Sequence, residues 1–442
     1  MAMFDELADK QRQDISKQWI HRAFAAQKEI LELVAQRRRG GKAQGIVGWF
    51  AGSYNFCFRV SFTEGPDAII RFPKPGCTVF PDEKVTNEAR VIEFIRENTT
   101  IPVPRLISWG VTEDSPQQLG PFLISDYVHG VSLSSILRDP ADNDWQFLNP
   151  TLDDKTLNSV YEQIADMMLQ LFQFNFSKIG AISKDPGSNK WSVAARPLTY
   201  TMNELATAAL FPLSKFPTTC FNSTKDYFRS LANANMTHLE TQRNIATDQT
   251  MAEELYIARH GLLQLVDKYC TADNDRGPFK LFCDDLRPHN ILVDPETLRI
   301  TAFIDLEFTN AMPSQSSSDP PWWLLLAEPE SYLSLGRKPE EFVTAYEAYL
   351  DRFLQVLQRV EKGRGLQLSS LMRDAWETKR FWFNYAIRNP FEVETLCVNY
   401  LGEASGAGKP SLDDKARAEM EQFVQMKMEQ LEAYDADCKM LL

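Results

Sequence analysis

The spacing of apolar and polar positions changes period along the chain, and each change predicts a different kind of element. Residues 14–36 are rich in helix formers, and Trp19, Ala23, Phe24, Ile30 and Val34 recur as an apolar stripe, which predicts one helix. It ends at Arg37-Arg38-Arg39-Gly40-Gly41-Lys42, where positive charge complements the helix dipole and glycine stops the helix. From Ile46 the period becomes two. Phe56, Phe58 and Val60 mark one strand, Ala68 to Phe72 a second, and Pro73-Lys74-Pro75-Gly76 breaks the chain. Residues 82–97 return to a helical period. A strand over 105–110, a loop over 112–120 and a strand over 121–128 follow. These segments predict a β-rich lobe with one helix, ending near Val128.

Beyond Gly130 the pattern is mainly helical. Val160, Ile164, Met167, Met168 and Leu171 fall on one helical face. Residues 178–250 mix loops with polar helices. Residues 279–307 read as strand, loop and strand. The region 320–438 is Trp-rich and helical, with a polar loop near 402–412 and a charged surface helix over about 412–435.

Composition narrows the class. The chain has 442 residues, 44% hydrophobic and 24% charged, which is a globular profile. Lys plus Arg number 47 against 60 Asp plus Glu, a net charge of −13. That excludes broad binding to nucleic-acid phosphates, which needs cationic surface. The seven cysteines are scattered without a C-x-x-C pair, and the five histidines form no metal-type cluster with them, which predicts free thiols in a reducing compartment. The N-terminal MAMFDELADKQRQD lacks an apolar signal core, and no run of 18 apolar residues occurs. The expectation is a cytoplasmic protein with neither a membrane nor a nucleic-acid partner. No oligomeric state is implied.

The chemistry concentrates in residues 281–307, LFCDDLRPHNILVDPETLRITAFIDLE. Asp285 is followed five residues later by Asn290, and Asp305 lies fifteen further on. ILVD and ITAFID read as strands joined by a turn at Pro295, Glu296 and Thr297, a hairpin that sets Asn290 beside Asp305. Phosphoryl transfer needs this set. A carboxylate (Asp285) takes or orients the proton of the attacking hydroxyl, and an amide oxygen (Asn290) with a second carboxylate (Asp305) holds Mg²⁺ against a triphosphate. Arg287 can stabilise charge on the transferring group.

Asp285-Leu286-Arg287-Pro288-His289-Asn290 resembles the D-L-x-P-x-N catalytic loop of the kinase superfamily. Asn290-Ile291-Leu292-Val293-Asp294 and Ile304-Asp305-Leu306-Glu307 are similar to the corresponding motifs of the aminoglycoside phosphotransferase and choline kinase-like branch, in a fungal-type subgroup. The resemblance spans about residues 46–400. It implies an α+β, bilobal protein-kinase-like fold with a small β-rich lobe (42–128), a larger, mostly helical lobe (129–442) and an N-terminal helical extension (1–41). It also implies ATP and Mg²⁺ as cofactors and a small-molecule acceptor phosphorylated on a hydroxyl. The acidic balance suits an amino-alcohol or aminoglycoside-like acceptor, and a secondary metabolite is a further candidate. The acceptor site is expected from the 178–260 segment and the helices after 320.

One departure bears on the catalytic loop. Where the family has H-G before its catalytic Asp, this chain has Cys283-Asp284, so Asp284 competes with Asp285, although the spacing to Asn290 favours Asp285. Two competing readings follow: an inactive nucleotide-binding scaffold, and a protein kinase. No D-F-G or A-P-E follows Asp305, which counts against the second.

The small lobe supplies the remaining candidates. Arg71 sits in AIIRF, and Glu88 shares a helix face with Val91, Ile92 and Ile95, so Glu88 points inward and needs a cationic partner. Arg71 is that partner, resembling the lysine–glutamate pair that grips the α- and β-phosphates in kinases. Lys74 competes but lies between two prolines. Gly48 to Asn55 (GWFAGSYN) is the expected phosphate-covering loop, with backbone N–H groups of Gly52 and Ser53 presented to phosphate and Asn55 closing it. By resemblance, Asp126 to Val128 is the hinge whose backbone pairs with adenine. Trp322 and Trp323 pack beneath the metal loop or line a substrate pocket. Ser314 to Asp319 reads as a polar loop, and His260 and His289 as packing or surface residues.

Overall fold

A computed structural model describes residues 4–141, 147–402 and 412–441. Two helices, α1 (Glu6–Ala25) and α2 (Gln27–Arg37), precede strands β1 (Ala43–Ala51), β2 (Asn55–Phe62) and β3 (Ala68–Pro73). Helix α3 (Pro81–Asn98) and strands β4 (Leu106–Gly110) and β5 (Phe122–Asp126) complete the small lobe. The five strands form an antiparallel sheet in the order β1-β2-β3-β5-β4.

Cross-strand partners share a face. Phe56 with Phe72, and Phe58 with Ile70 and Ile124, lie on one face, packed against Trp19, Ala23, Ile30 and Val34 of α1 and α2. Cys57 with Arg71 and Leu123 lie on the other face, toward the large lobe. The N-terminal extension thus closes the outer side of the sheet, and the inner side carries Arg71.

The expected single helix over 14–36 is two helices. The first begins at Glu6, where the Asp5 side chain accepts the Ala8 amide at 3.0 Å. Over residues 6–13 this helix buries only Ala8, so its start left no apolar stripe to read. The break falls at Ala26 (φ −92°, ψ 15°), which is fully buried and lets the chain pass close to the sheet.

The large lobe opens with β6 (Val131–Ser132), α4 (Leu133–Leu137) and α5 (Asp154–Phe172), the amphipathic helix read from Val160 to Leu171. A segment with β7 (Ala181–Lys184), β8 (Trp191–Ala195) and α6 (Tyr200–Ala208) follows, then α7 (Thr224–Thr241) and α8 (Gln249–Tyr269). Strand β9 (Lys280–Cys283), the hairpin β10 (Ile291–Val293) and β11 (Ile300–Phe303), and β12 (Thr309–Met312) frame the 281–307 motif. Then come α9 (Ser314–Ser317), α10 (Pro329–Ser334), α11 (Pro339–Glu361), α12 (Leu368–Glu377), α13 (Arg380–Arg388), α14 (Val393–Leu396) and α15 (Asp414–Leu441). The result is a bilobal α+β fold of the protein-kinase-like kind, with a small antiparallel sheet and a larger helical lobe. Among the described residues no helix is long and apolar enough to cross a membrane.

One further sequence expectation is revised. Ser314–Ser317 is a short helix rather than a polar loop, with Ser316 and Asp319 buried against α13. The last helix runs from Asp414 to Leu441 and lies on the surface as expected, docked through Ala416, Val424, Lys427 and Tyr434. The polar loop near 402–412 falls almost entirely outside the described residues.

The 181–208 segment reaches back to the small lobe. Arg196 forms a bidentate pair with Glu83 (3.0 and 2.7 Å). Asn203 joins the Val79 amide and the Cys77 carbonyl (3.0 and 3.2 Å), and Lys184 pairs with Glu97 at 2.7 Å. The two lobes are therefore connected by side chains as well as by the strand-to-strand linker at 127–130.

Candidate active site

The catalytic loop lies between two fixed ladders. Cys283 at the end of β9 pairs with Thr309 of β12, and Ile291 of β10 pairs with Phe303 of β11. The carbonyl of Asn290 accepts the Ile304 amide at 2.9 Å, so the hairpin does set Asn290 beside Asp305. The hairpin turn is held by Asp294, whose carboxylate accepts from the Glu296 and Thr297 amides. Asp305 and Phe308 both have positive φ (62° and 63°), which turns the intervening loop back toward Arg71.

Within the loop, Asn290 Nδ2 donates to Asp285 Oδ2 at 2.7 Å and to the Asp285 carbonyl at 3.0 Å. That orients the amide so that its Oδ1 faces away from Asp285. Arg287 Nε makes an ion pair with Asp285 Oδ1 at 2.7 Å. Burial pushes the Asp285 carboxyl upward, against the opposing pull of Arg287 and Asn290. Asp284 does not share this position. Its Oδ1 is 2.7 Å from Arg388 Nη1 on α13, and Arg388 also lies 3.6 Å from Asp319. Asp284 thus ties the loop to α13 and leaves Asp285 facing Asn290. Cys283 is buried, and burial raises its thiol far above the ordinary range, so it is an inert packing group.

Arg71 stands between two carboxylates, as the inward-facing Glu88 requires. It is bonded to Glu88 of α3 and lies 3.0 Å from Asp305 Oδ1. Asp305 is raised well above its ordinary value by burial and by Glu307, with Arg71 opposing. Lys74 is not placed in this pair; its amide donates to the Tyr54 carbonyl at 2.7 Å.

A second buried ion pair was not read from the sequence. Lys84 Nζ lies 2.6 Å from Glu307 Oε2, with the side chains only 1% and 3% exposed. Burial alone would raise the Glu307 carboxyl, but Lys84 and Arg71 outweigh it and hold Glu307 below its ordinary value. Lys84 is four residues before Glu88, on the same helix face, and that spacing was the available signal.

Asn55 is corrected by this pair. It was expected among the nucleotide-binding residues, closing the phosphate-covering loop. Instead it is buried, donating to Glu307 Oε2 at 2.9 Å and accepting from Lys84 at 3.2 Å. Gly52 is corrected too: its N–H is spent on the Asn55 carbonyl at 2.9 Å, closing the β1–β2 turn. Ser53 lies at the tip of that turn. The carboxylate of Asp126 is taken by Arg105 (2.8 and 2.9 Å), its amide by the Arg105 carbonyl, and the Tyr127 amide by the Asp67 carbonyl. Val128 lies beyond the last sheet pair.

Beside Asp285 opens a cavity of about 610 Å³. Its wall includes Glu204, Asp284, Asp285, Glu328, Glu330 and Glu392, with Arg287 and Arg388 as the cations, both already paired to aspartates. Tyr200, Tyr385, Trp322 and Phe391 supply aromatic faces, and Phe4 stands at 4.9 Å from Phe391. Burial pushes Glu330 up to about 8. The α6 segment and the helices after 320 therefore both line this cavity. Of the two tryptophans, Trp322 lines the cavity and Trp323 is buried in the core. His260 packs on Tyr256 at 4.2 Å, and His289 is exposed.

In chemical terms, Asp285 sits on a boundary. One side is an acid-walled cavity wide enough for a small organic cation. The other is Asn290, Asp305 and Arg71, two hard oxygen donors and one guanidinium.

The sequence model of the phosphotransferase enzyme family matches residues 51–313, more than half of the chain, from the end of β1 to just past β12. The protein called altered inheritance of mitochondria protein 9, mitochondrial, from Candida albicans is 22% identical over 329 residues, which cover 65% of this chain and 51% of that protein. Its namesake in Candida dubliniensis is 23% identical over 155 residues, 34% of this chain and 23% of that protein. The chain spans about half or less of the length of these curated relatives. Among solved structures, the ethanolamine kinase of Plasmodium vivax superposes with a TM-score of 0.41 at 11% identity, over 90% of this chain and 82% of that one.

Proposed function

The chain belongs to the phosphotransferase enzyme family, and on that premise we propose that it transfers the γ-phosphoryl group of ATP to a hydroxyl of a small cationic acceptor. One observation carries this reading: Asp285 forms part of the wall of the acid cavity and is hydrogen-bonded through Asn290 to the strand end that faces Asp305. A hydroxyl in the cavity meets Asp285, which takes its proton as the oxygen attacks phosphorus. Arg287, now on Asp285, is within reach of the transferring group and stabilises its charge once released. Arg71 supports the α- and β-phosphates while Glu88 holds it in place. Ser53 at the turn tip covers the phosphates, and the Val128 backbone meets the base.

Asn290 Oδ1 and the Asp305 carboxylate fit Mg²⁺. They are hard oxygen donors, and Mg²⁺ takes few protein ligands when triphosphate supplies the others. When bound, the ion neutralises phosphate charge. With Asp284 and Asp285 paired to Arg388 and Arg287, the four glutamates of the cavity wall favour an amine-bearing acceptor over an anionic one. Tyr and Trp faces favour the same cation.

The free thiols support a reducing compartment. We assign the protein to the cytoplasm, and fractionation decides between that and the mitochondria for which the Candida relatives are named. The test of activity is Mg²⁺-dependent ATP turnover against a library of hydroxylated amines, with the product ester identified by mass. A stoichiometric phosphate ester supports the proposal. Nucleotide binding without any product across the library points instead to a scaffold, and phosphate on protein substrates to a protein kinase.

A further inference from the structure

Tyr54 belongs to the β1–β2 turn, but its hydroxyl leaves the small lobe. It donates to Glu204 Oε1 at 2.7 Å and lies 3.1 Å from the Tyr200 hydroxyl, both on α6. Its ring packs edge-on against Tyr200 (5.9 Å) and against Phe308 (6.4 Å), which follows Glu307. Its carbonyl accepts the Lys74 amide. A single residue therefore touches the turn, the loop after Asp305 and α6.

Glu204 has a second office. With Tyr200 it lines the acid cavity that Asp285 also lines. One carboxylate thus serves as the partner of the turn and as a contact for whatever fills the cavity. A hydrogen bond to an ionised acceptor is roughly twice as strong as a neutral one. A cation beside Glu204 favours its ionised form.

We propose that Tyr54 is a positioning residue that couples occupancy of the acid cavity to order in the β1–β2 turn. A cation docked at Glu204 strengthens the Tyr54 hydrogen bond and steadies the turn over the phosphate side. The coupling rests on the reading of the cavity as the acceptor site. Linkage makes it reciprocal: ordering the turn raises cavity affinity for the cation by the same factor. The Tyr54–Glu204 bond itself, which we call the latch, stands on the geometry alone.

Hydrogen exchange on the full chain separates these claims, with Tyr54→Phe, which keeps the ring and removes only the hydroxyl. Amides of residues 50–55 are expected to exchange about tenfold faster than in the wild type, the loss of one hydrogen bond, while those of 280–283 stay unchanged. Equal exchange at 50–55, or acceleration throughout both lobes, overturns the latch. Glu204→Gln, which keeps an acceptor oxygen and loses the charge, gives a smaller acceleration in the same segment; none at all overturns the role of the charge.

Spermidine is the cation probe. Calorimetry measures its binding, and the coupling requires that it slow exchange at 50–55 in the wild type but not in Tyr54→Phe. Spermidine that binds without slowing that segment overturns the coupling. Spermidine that fails to bind overturns both the coupling and the cationic cavity, and leaves the latch to the contrast between wild type and Tyr54→Phe. A chain with latch and coupling but no phosphoryl transfer would retain this inference and lose the proposed activity.

Discussion

Arg71 is shared by carboxylates from different lobes, Glu88 on α3 and Asp305 in the large lobe. Asp285 is likewise shared, with Arg287 on one oxygen and Asn290 on the other. Replacing Asp285 by Asn keeps the shape and removes the base. Turnover is expected to fall roughly 10²- to 10⁴-fold with nucleotide affinity retained, checked by initial rates and by titration with a non-hydrolysable ATP analogue. Equal turnover would remove Asp285 from its role. Glu330 gives a pH prediction. Burial raises it to about 8, so below that pH the free protein carries the proton, and a cation entering the cavity must release it. Cation affinity should therefore rise with pH up to about 8 and flatten in Glu330→Gln, read by spermidine titration from pH 6 to 9.

At this scale the juxtaposition of Asp285, Asn290 and Asp305 was legible because their order along the chain is itself the signal: they lie on one loop and one hairpin. Asn55 and Gly52 were misread because a turn sequence does not say which way its side chains and amides point. Asn55 turned inward to bond both members of the Lys84–Glu307 pair.

Among the elements, α3 reaches across to the large lobe. It sends Lys84 to Glu307, and one helical turn on its Glu88 holds Arg71, which itself pairs with Asp305. Removing one partner of a buried pair leaves an uncompensated charge. Lys84→Met is expected to cost about 3–5 kcal/mol of stability, with most of it recovered in Lys84→Met/Glu307→Gln. Urea unfolding of the two variants checks this, and an equal loss in both would argue that packing rather than charge is at stake. Helix α3 was legible from its apolar face, since Val91, Ile92 and Ile95 repeat at helical spacing. Helix α1 was only half legible, because its first two turns bury a single alanine and face solvent elsewhere.

Across the whole molecule, the N-terminal helices are part of the small lobe's core rather than an appendage. Trp19, Ile30 and Val34 are buried against the sheet, each worth about 1.5–3 kcal/mol on burial. Their sum approaches the entire stability of a typical domain, about 5–15 kcal/mol. A chain lacking residues 1–41 is therefore expected to lose its small lobe, seen as rapid proteolysis of 43–126 while 154–400 resists. The cavity beside Asp285 draws its lining from the 178–260 segment and the helices after 320. Its acid character comes from residues as far apart as Glu204 and Glu392, which only the fold assembles.

The side-chain links from 181–208 to α3 and to the segment before it have a mechanical consequence. Force between the lobes has two parallel paths, the backbone at 127–130 and the braces at Glu83, Val79 and Glu97. A jaw braced on both sides does not swing about its backbone joint. On the proposed reading, nucleotide is expected to enter at the β1–β2 turn while the two lobes keep their spacing. Small-angle scattering should show the same radius of gyration with and without a Mg²⁺–ATP analogue, and a contraction on binding would show that the braces give way.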